Sequence, residues 1–205
     1  MGNGLTPAIV LAAGRSERLG QPKALVVWGG RTLVEHAVEQ LHVAGCEPVL
    51  VVTRPDLETA VRERVGHMAL VVVNEQPEAG RTGSLQCGLR SLQPYLHATD
   101  QRVVMAPVDR PGWSVETLQT LLAHDGCVAP RSAGRQGHPI LLTHDGISSV
   151  MKAGPDHPLR DLLTFSPVSV NAPWLHINVD RPEDLRLLNE VETDFVTYAK
   201  QGEGI

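Results

Sequence analysis

Short, uninterrupted apolar runs punctuate the chain at residues 8–12, 48–53, 70–73, 102–107, 126–129 and 139–143. Runs of this length without polar alternation predict strands buried on both faces, as in a parallel sheet covered by helices. Between them the spacing becomes helical. Residues 32–44 place Leu33, Ala37, Val38 and Leu41 on one face, with Gly45 as a stop. Residues 56–65 and 84–92 read the same way, and Ser114 stands where a further helix needs an N-cap. Strand and helix alternate, which predicts an α/β fold with helices on both faces of a doubly wound sheet. Ligand chemistry then belongs at the carboxyl ends of the strands.

After Pro130 the regularity weakens. Residues 131–138, RSAGRQGH, read as a polar, glycine-containing loop, and 144–176 as short helical pieces broken by Pro155, Pro158, Pro167 and Pro173. This region, about 131–176, is expected to be an insertion or lid on the same domain, so that residues 1–205 form one domain. Residues 174–179 predict a last strand, and 182–195 a closing helix with Pro182 in its first turn. The tail KQGEGI is expected to fray. No internal repeat or low-complexity tract interrupts this pattern.

Composition narrows the partners. Three Trp, two Tyr and two Phe in 205 residues leave the core to Val, Leu, Ala and Ile, with no aromatic platform for stacked bases. A net charge of -5 offers no field for a polyanion, so neither nucleic acid nor an anionic membrane is an expected partner. Any phosphate site must be local. Cys46, Cys87 and Cys127 show no CxxC or zinc-ligand spacing and read as reduced, buried small hydrophobes. No apolar run approaches the roughly 18 residues that span a bilayer, and MGNGLTP lacks the regions of a signal peptide, so the cytoplasm is the expected location.

Candidate chemistry begins where the first strand ends, in LAAGRSERLGQPK at residues 11–23. A glycine turn leaving a strand points successive backbone N–H groups at one place and can cradle phosphate oxygens. Arg15, Arg18 and Lys23, the last read as an exposed loop lysine, add positive charge. The spacing is neither GxxxxGK[ST] nor GxGxxG. A solvated surface loop is the alternative. The stretch resembles the LAAGxSxRLGxxK signature of the MobA-like NTP transferase family, whose members move a nucleoside monophosphate from an NTP to a phosphorylated acceptor. The resemblance implies a GT-A-like nucleotidyltransferase fold with a mostly parallel central sheet. It also implies a loop, Leu11, Ala12, Ala13, Gly14, Arg15 and Ser16, that wraps the nucleotide, and catalytic roles for Arg18 and Lys23 in neutralising the triphosphate.

Further segments extend the resemblance in order. Gly80-Arg81-Thr82-Gly83-Ser84-Leu85 is similar to the family's GxxxSL segment, which implies that Gly80 and Ser84 meet base and ribose; a capped helix start accounts for the same residues. Val108-Asp109-Arg110-Pro111 is like its DxP element, with Arg110 a departure, and Asn178-Val179-Asp180-Arg181-Pro182-Glu183-Asp184-Leu185 is like its closing stretch. Together they imply that Asp109 and Asp180 converge on Mg2+, with Asp109 also catalytic, whereas Glu183 and Asp184 suit a helix N-terminus. Gly137-His138-Pro139 is similar to the GHP element beside the acceptor, and Arg160 corresponds loosely to an acceptor-side arginine. The nucleotide-binding half is then about 7–110 and the acceptor half about 131–176. Ala13 and Pro22 resemble the CTP-using members, nearest the molybdopterin cytidylyltransferases. That pattern implies molybdopterin as acceptor and a molybdoenzyme or assembly factor as partner. Methylerythritol phosphate, phospholactate or a sugar phosphate, or a catalytically silent nucleotide-binding role, remain as alternatives.

Overall fold

The computed structural model describes residues 5–96, 101–192 and 194–195; the tail KQGEGI lies outside them. Ten strands occur among the described residues: β1 (Thr6–Leu11), β2 (Val27–Trp28), β3 (Arg31–Thr32), β4 (Cys46–Thr53), β5 (Leu70–Val73), β6 (Arg102–Pro107), β7 (Val128–Ser132), β8 (Arg135–Gln136), β9 (Ile140–Thr143) and β10 (Ser166–Ser169). Seven of them form a sheet in the order β10-β7-β9-β6-β1-β4-β5, with β8 added to β7, and β2 pairs with β3 as a separate ribbon. Pairing is parallel from β6 through β1 and β4 to β5 and again between β7 and β10, but antiparallel where β9 meets β6 and β7.

The missing alternation in the apolar runs has a direct cause. Ala8 and Val10 of β1 enter one core and Ile9 and Leu11 the other. Over the first face lie α1 (Leu33–Val43), α2 (Glu58–Val65), α4 (Val115–Leu122) and α7 (Pro182–Glu190), through Val38, Val61, Leu118 and Leu188. Over the second lie α3 (Arg81–Leu92) and α5 (His144–Lys152), through Leu85, Leu89, Ile147 and Val150. Each such side chain, fully buried, contributes about 1.5–3 kcal/mol relative to exposure. The remaining helix, α6 (Leu159–Leu162), is one turn. Thr32 caps α1 reciprocally with Glu35, and Ser114 Oγ accepts from the Thr117 amide to cap α4. No helix among the described residues is long and apolar enough to cross a membrane.

Three expectations fail locally. Residues 174–179 form a turn and an extended segment instead of a strand. Their alternation is real, since Leu175, Ile177 and Val179 are buried. Their backbone, however, bonds to itself and to the end of β6, with Ile177 N–H donating to Trp174 O and Val179 N–H to Asp109 O, both at 2.9 Å. Gly112 makes this possible, because a Cβ there would lie 1.7 Å from Trp174 O. The missed edge strand is β10, whose Ser-Pro-Val-Ser sequence reads as a turn; proline is tolerated at a sheet edge. Residues 131–138 are not a plain loop, since Ala133 (φ 49°) and Gly134 (φ 78°) turn β7 into β8 as a hairpin. The closing helix runs over Pro182–Glu190, turns at Val191 and is helical again at residues 192, 194 and 195, as far as the expected bound.

The chain runs from β1 to β4 and β5 on one side, then returns to β6 on the other side of β1. This reversal opens a crevice at the carboxyl ends of β1 and β6. The region 131–176 builds its other flank, as β9 pairs with β6.

Candidate active site

The first loop leaves the sheet in stages. Ala12 N–H still donates to Val52 O (2.8 Å), so the chain stays pinned one residue beyond β1 and departs at Gly14. Ser16 then takes a left-handed conformation (φ 56°), and its carbonyl accepts from Leu19 and Gly20 N–H at 3.1 and 3.2 Å. Its hydroxyl accepts from the Lys23 amide (3.1 Å), closing the loop on itself. Arg54, at the end of β4, holds the loop from outside: Nη1 donates to Gly14 O (2.9 Å) while Nε pairs with Asp56 (2.8 Å).

This closure delivers Lys23 to the end of β6. Its Nζ lies 2.8 Å from Asp180 Oδ1 and 3.4 Å from Asp109 Oδ2, with its side chain only 11% exposed. The expected exposed loop lysine is therefore a half-buried one, held by two carboxylates that stand 71 residues apart in sequence. Arg18 Nη1 reaches the other oxygen of Asp180 at 2.7 Å. Hydrogen bonding from Lys23, reinforced by the charges of Lys23, Arg18 and Arg181, holds the Asp180 carboxyl below its ordinary 3.8. Asp180 is placed by its neighbours: Val179 is tied to Asp109 O, and the Asp184 carboxylate accepts from the amides of Asp180 and Arg181 (2.8 and 2.7 Å), capping α7.

Gly80 and Ser84 form the opposite wall. Gly80 has φ 101° and ψ -166°, a conformation reserved for glycine, and it turns the chain into α3. Ser84 Oγ donates to Gly80 O and accepts from Asn74 Nδ2, each at 3.1 Å, while Asn74 Oδ1 accepts from the Gln76 amide at 3.0 Å. Buried Asn74 thus fixes the wall's shape. Across the mouth, Arg15 stands 3.9 Å from Glu78 and 3.7 Å from Glu17, exposed pairs of little energetic weight. Between the walls is a cavity of about 460 Å³. Its lining includes all eight nucleotide-binding candidates, Leu11, Ala12, Ala13, Gly14, Arg15, Ser16, Gly80 and Ser84, together with Arg18, Lys23, Asp109 and Asp180.

The acceptor candidates separate. His138 is half-buried beside the end of β6; burial, and then the guanidiniums of Arg81 and Arg110, push its imidazole down to about 4. Arg160 is 86% exposed on α6, paired among the described residues with Asp161 alone at 3.7 Å, and does not line the cavity. Sequence reasoning gave no role to Arg54, Asn74, Glu78 or Arg81. Arg81 stands in a segment that carries a motif, but Arg54 acts on a carbonyl forty residues away and Asn74 on a hydroxyl ten residues away, and neither had a local signal.

Asp109 Oδ1 is buried with no hydrogen-bond partner, facing neither Lys23 nor any other donor. An orphaned carboxylate oxygen beside a second carboxylate is an oxygen donor set suited to a hard divalent cation. Among the described residues no group of three or more His, Cys, Asp or Glu converges, so a cation held by these two carboxylates would take its remaining ligands from ligand and water oxygens.

Comparison with known proteins places this arrangement among relatives. Residues 8–171 match the MobA-like NTP transferase domain. The chain is 33% identical over 146 residues to the nicotine blue oxidoreductase of Paenarthrobacter nicotinovorans, covering 65% of this chain and 69% of that protein. It is 30% identical over 192 residues to a probable molybdenum cofactor guanylyltransferase of Bacillus cereus (strain B4264), covering 86% and 92%. The crystal structure of Rv0371c from Mycobacterium tuberculosis H37Rv is similar with a TM-score of 0.77 and 26% identity, covering 93% of this chain and all of that one.

Proposed function

The chain belongs to the MobA-like NTP transferase domain family, and from that premise we propose that it transfers CMP from CTP to a small phosphorylated acceptor, releasing pyrophosphate. The observation that carries this reading is Lys23, enclosed with Arg18 by Asp109 and Asp180 at the edge of a cavity whose rim is a phosphate-cradling loop. In the reaction an acceptor phosphate oxygen bonds to the α-phosphorus. The bond from that phosphorus to the bridging oxygen breaks, and pyrophosphate leaves with the electron pair. Lys23 and Arg18 exchange carboxylate oxygens for triphosphate oxygens and absorb the charge that builds there, while the backbone of residues 13–16 orients it. One such donor is worth about 10²–10³ in rate. No general base is needed, because a phosphate monoester is already ionised near neutral pH. Asp109 and Asp180 are the residues that would hold a divalent cation, Mg2+ in this reading; bound, it supplies Lewis-acid neutralisation of phosphate charge.

CTP is favoured by Ala13 and Pro22, the residues that accompany CTP use in the resembling enzymes, although one relative is named a guanylyltransferase. Molybdopterin is the acceptor that the same resemblance supports, with a molybdoenzyme or its assembly factor downstream, in the cytoplasm. The nucleotide then occupies about 7–110 and the acceptor about 131–176. The oxidoreductase name of one relative finds no support in the loop, where Gly14 and Gly20 are six apart and not spaced as GxGxxG. A pyrophosphate-release screen of four NTPs against molybdopterin, methylerythritol phosphate, phospholactate and sugar phosphates tests the reading. Turnover is expected to be fastest with CTP. No turnover with any pair, despite nucleotide binding, would leave a silent binding protein instead.

A further inference from the structure

Three basic side chains lie outside the ion-pair network of the loop. Arg81 lines the cavity from the first turn of α3, Arg110 follows Asp109, and His138 precedes β9. The guanidiniums of Arg81 and Arg110 lie near enough to act on the His138 imidazole, and the sheet sets that imidazole and Arg110 at one strand end. At the carboxyl end of β6, Pro107 has Leu11 of β1 on one side. On the other side β9 runs antiparallel with Met105 opposite Ile140, so His138, two residues before Ile140, comes to the same end of β6. The loop from β1 therefore takes one flank and His138 the other.

On that second flank positive charge is in surplus. Among the described residues neither Arg81 nor Arg110 makes an ion pair, and Arg110 Nε is buried without a hydrogen-bond partner. Asp109, the carboxylate nearest in sequence, is already shared with Lys23. A buried guanidinium nitrogen left unpaired is costly and marks a place where an acceptor oxygen belongs. The fork of a guanidinium matches two oxygens of a phosphate, and an imidazole can add a hydrogen bond to a third. We propose that Arg110, Arg81 and His138 form a second anion site, separate from the triphosphate loop, that seats the phosphate monoester of the acceptor. The site rests on the transferase reading and adds to it the group the acceptor must carry. It adjoins Asp109, so a monoester held there presents its oxygens next to the carboxylate that Lys23 shares.

Methyl phosphate is the minimal probe. It is titrated into protein saturated with Mg2+ and the α,β-methylene analogue of CTP, so that the loop is filled, and followed through the His138 ring-proton resonances. Saturable binding that shifts those resonances is expected, weakened about tenfold or more by Arg110→Gln and several-fold by Arg110→Lys, with analogue affinity unchanged within about twofold. The lysine variant keeps the charge and guards against a folding defect in Arg110→Gln. Unchanged methyl phosphate affinity in these variants, binding that leaves His138 unmoved, or acetate binding as tightly would each overturn the site. If the CTP analogue itself fails to bind, the transferase reading falls separately. The anion site is then decided in the Lys23→Gln background without nucleotide, where Arg110→Gln must still abolish methyl phosphate binding and its persistence overturns the proposal.

Discussion

The two flanks of β6 hold charge in opposite ways. On the β1 side, Lys23 and Arg18 rest against Asp109 and Asp180 at 2.7–3.4 Å, so these cations are satisfied before any ligand arrives. On the β9 side, Arg81 and Arg110 have no carboxylate partner among the described residues, and one guanidinium nitrogen is buried alone. A ligand on the first flank must displace protein partners; on the second it supplies missing ones. The first arrangement keeps the loop closed and its lysine positioned in the free protein. The second keeps an unpaired buried donor, a standing cost that an anion removes.

The largest effect should come from the residue both carboxylates share. Lys23→Ala is expected to lower kcat/KM for pyrophosphate release by about 10³ or more, whereas Arg18→Ala, whose partner Asp180 keeps Lys23, should lose about 10–10². Because Lys23 is half-buried and bonded to two carboxylates, its removal should also lower thermal stability, by about 1–3 kcal/mol. A near-normal rate would take Lys23 out of the mechanism and erase the distinction between the flanks. Next in size is Asp109→Asn, which keeps the side-chain shape and removes the charge. It is expected to abolish the Mg2+ dependence of the rate, and superimposable Mg2+ titrations for variant and parent would refute the metal assignment.

The same contrast decides what could be read from sequence. β6 appears at its predicted bounds because a run buried on two faces leaves an unbroken apolar signature; β5 keeps its bounds as an edge strand, with Leu70 exposed and Val71 buried. Arg18, Lys23, Asp109 and Asp180 were legible because each sits in a local motif, and the fold brings them together. Arg160, carried by a looser motif, stands apart from them on an exposed one-turn helix. Pro167 hid β10 behind turn chemistry, and residues 174–179 alternate like a strand because they pack like one without a ladder. Arg54 and Asn74 gave no signal, since their work lies in tertiary bonds to Gly14 O and Ser84 Oγ.

Arg54 offers a smaller test of how far the nucleotide flank is prebuilt. Arg54→Gln removes the bond to Gly14 O while leaving Arg18, Lys23 and both carboxylates in place. It should raise the KM for NTP by about tenfold with a lesser change in kcat, as expected for losing one charged hydrogen bond worth roughly 1.5–3 kcal/mol. Steady-state kinetics with acceptor held saturating measure the split. An unchanged KM would mean that Ser16 and its carbonyl alone hold the loop.

Acid titration should show the smallest effects, with a different window for each flank. Asp180 is held below 3.8 in the folded state by Lys23 and its other cations, so its contribution is complete above 3.8 and fades as pH falls through the lowered folded value. His138 is held at about 4 against an ordinary 6.5, so the unfolded chain takes up a proton first, and stability should fall as pH drops from 6.5 toward 4 and then level. Thermal melts across this range with Asp180→Asn and His138→Phe separate the two: the histidine variant should lose the upper limb, and the aspartate variant the lower. Binding of methyl phosphate should reverse the upper limb alone, because an added phosphate anion favours the protonated imidazole that burial, and then Arg81 and Arg110, disfavour in the free protein. A lower limb that responds to methyl phosphate instead would place the probe on the Lys23 flank and collapse the two sites into one.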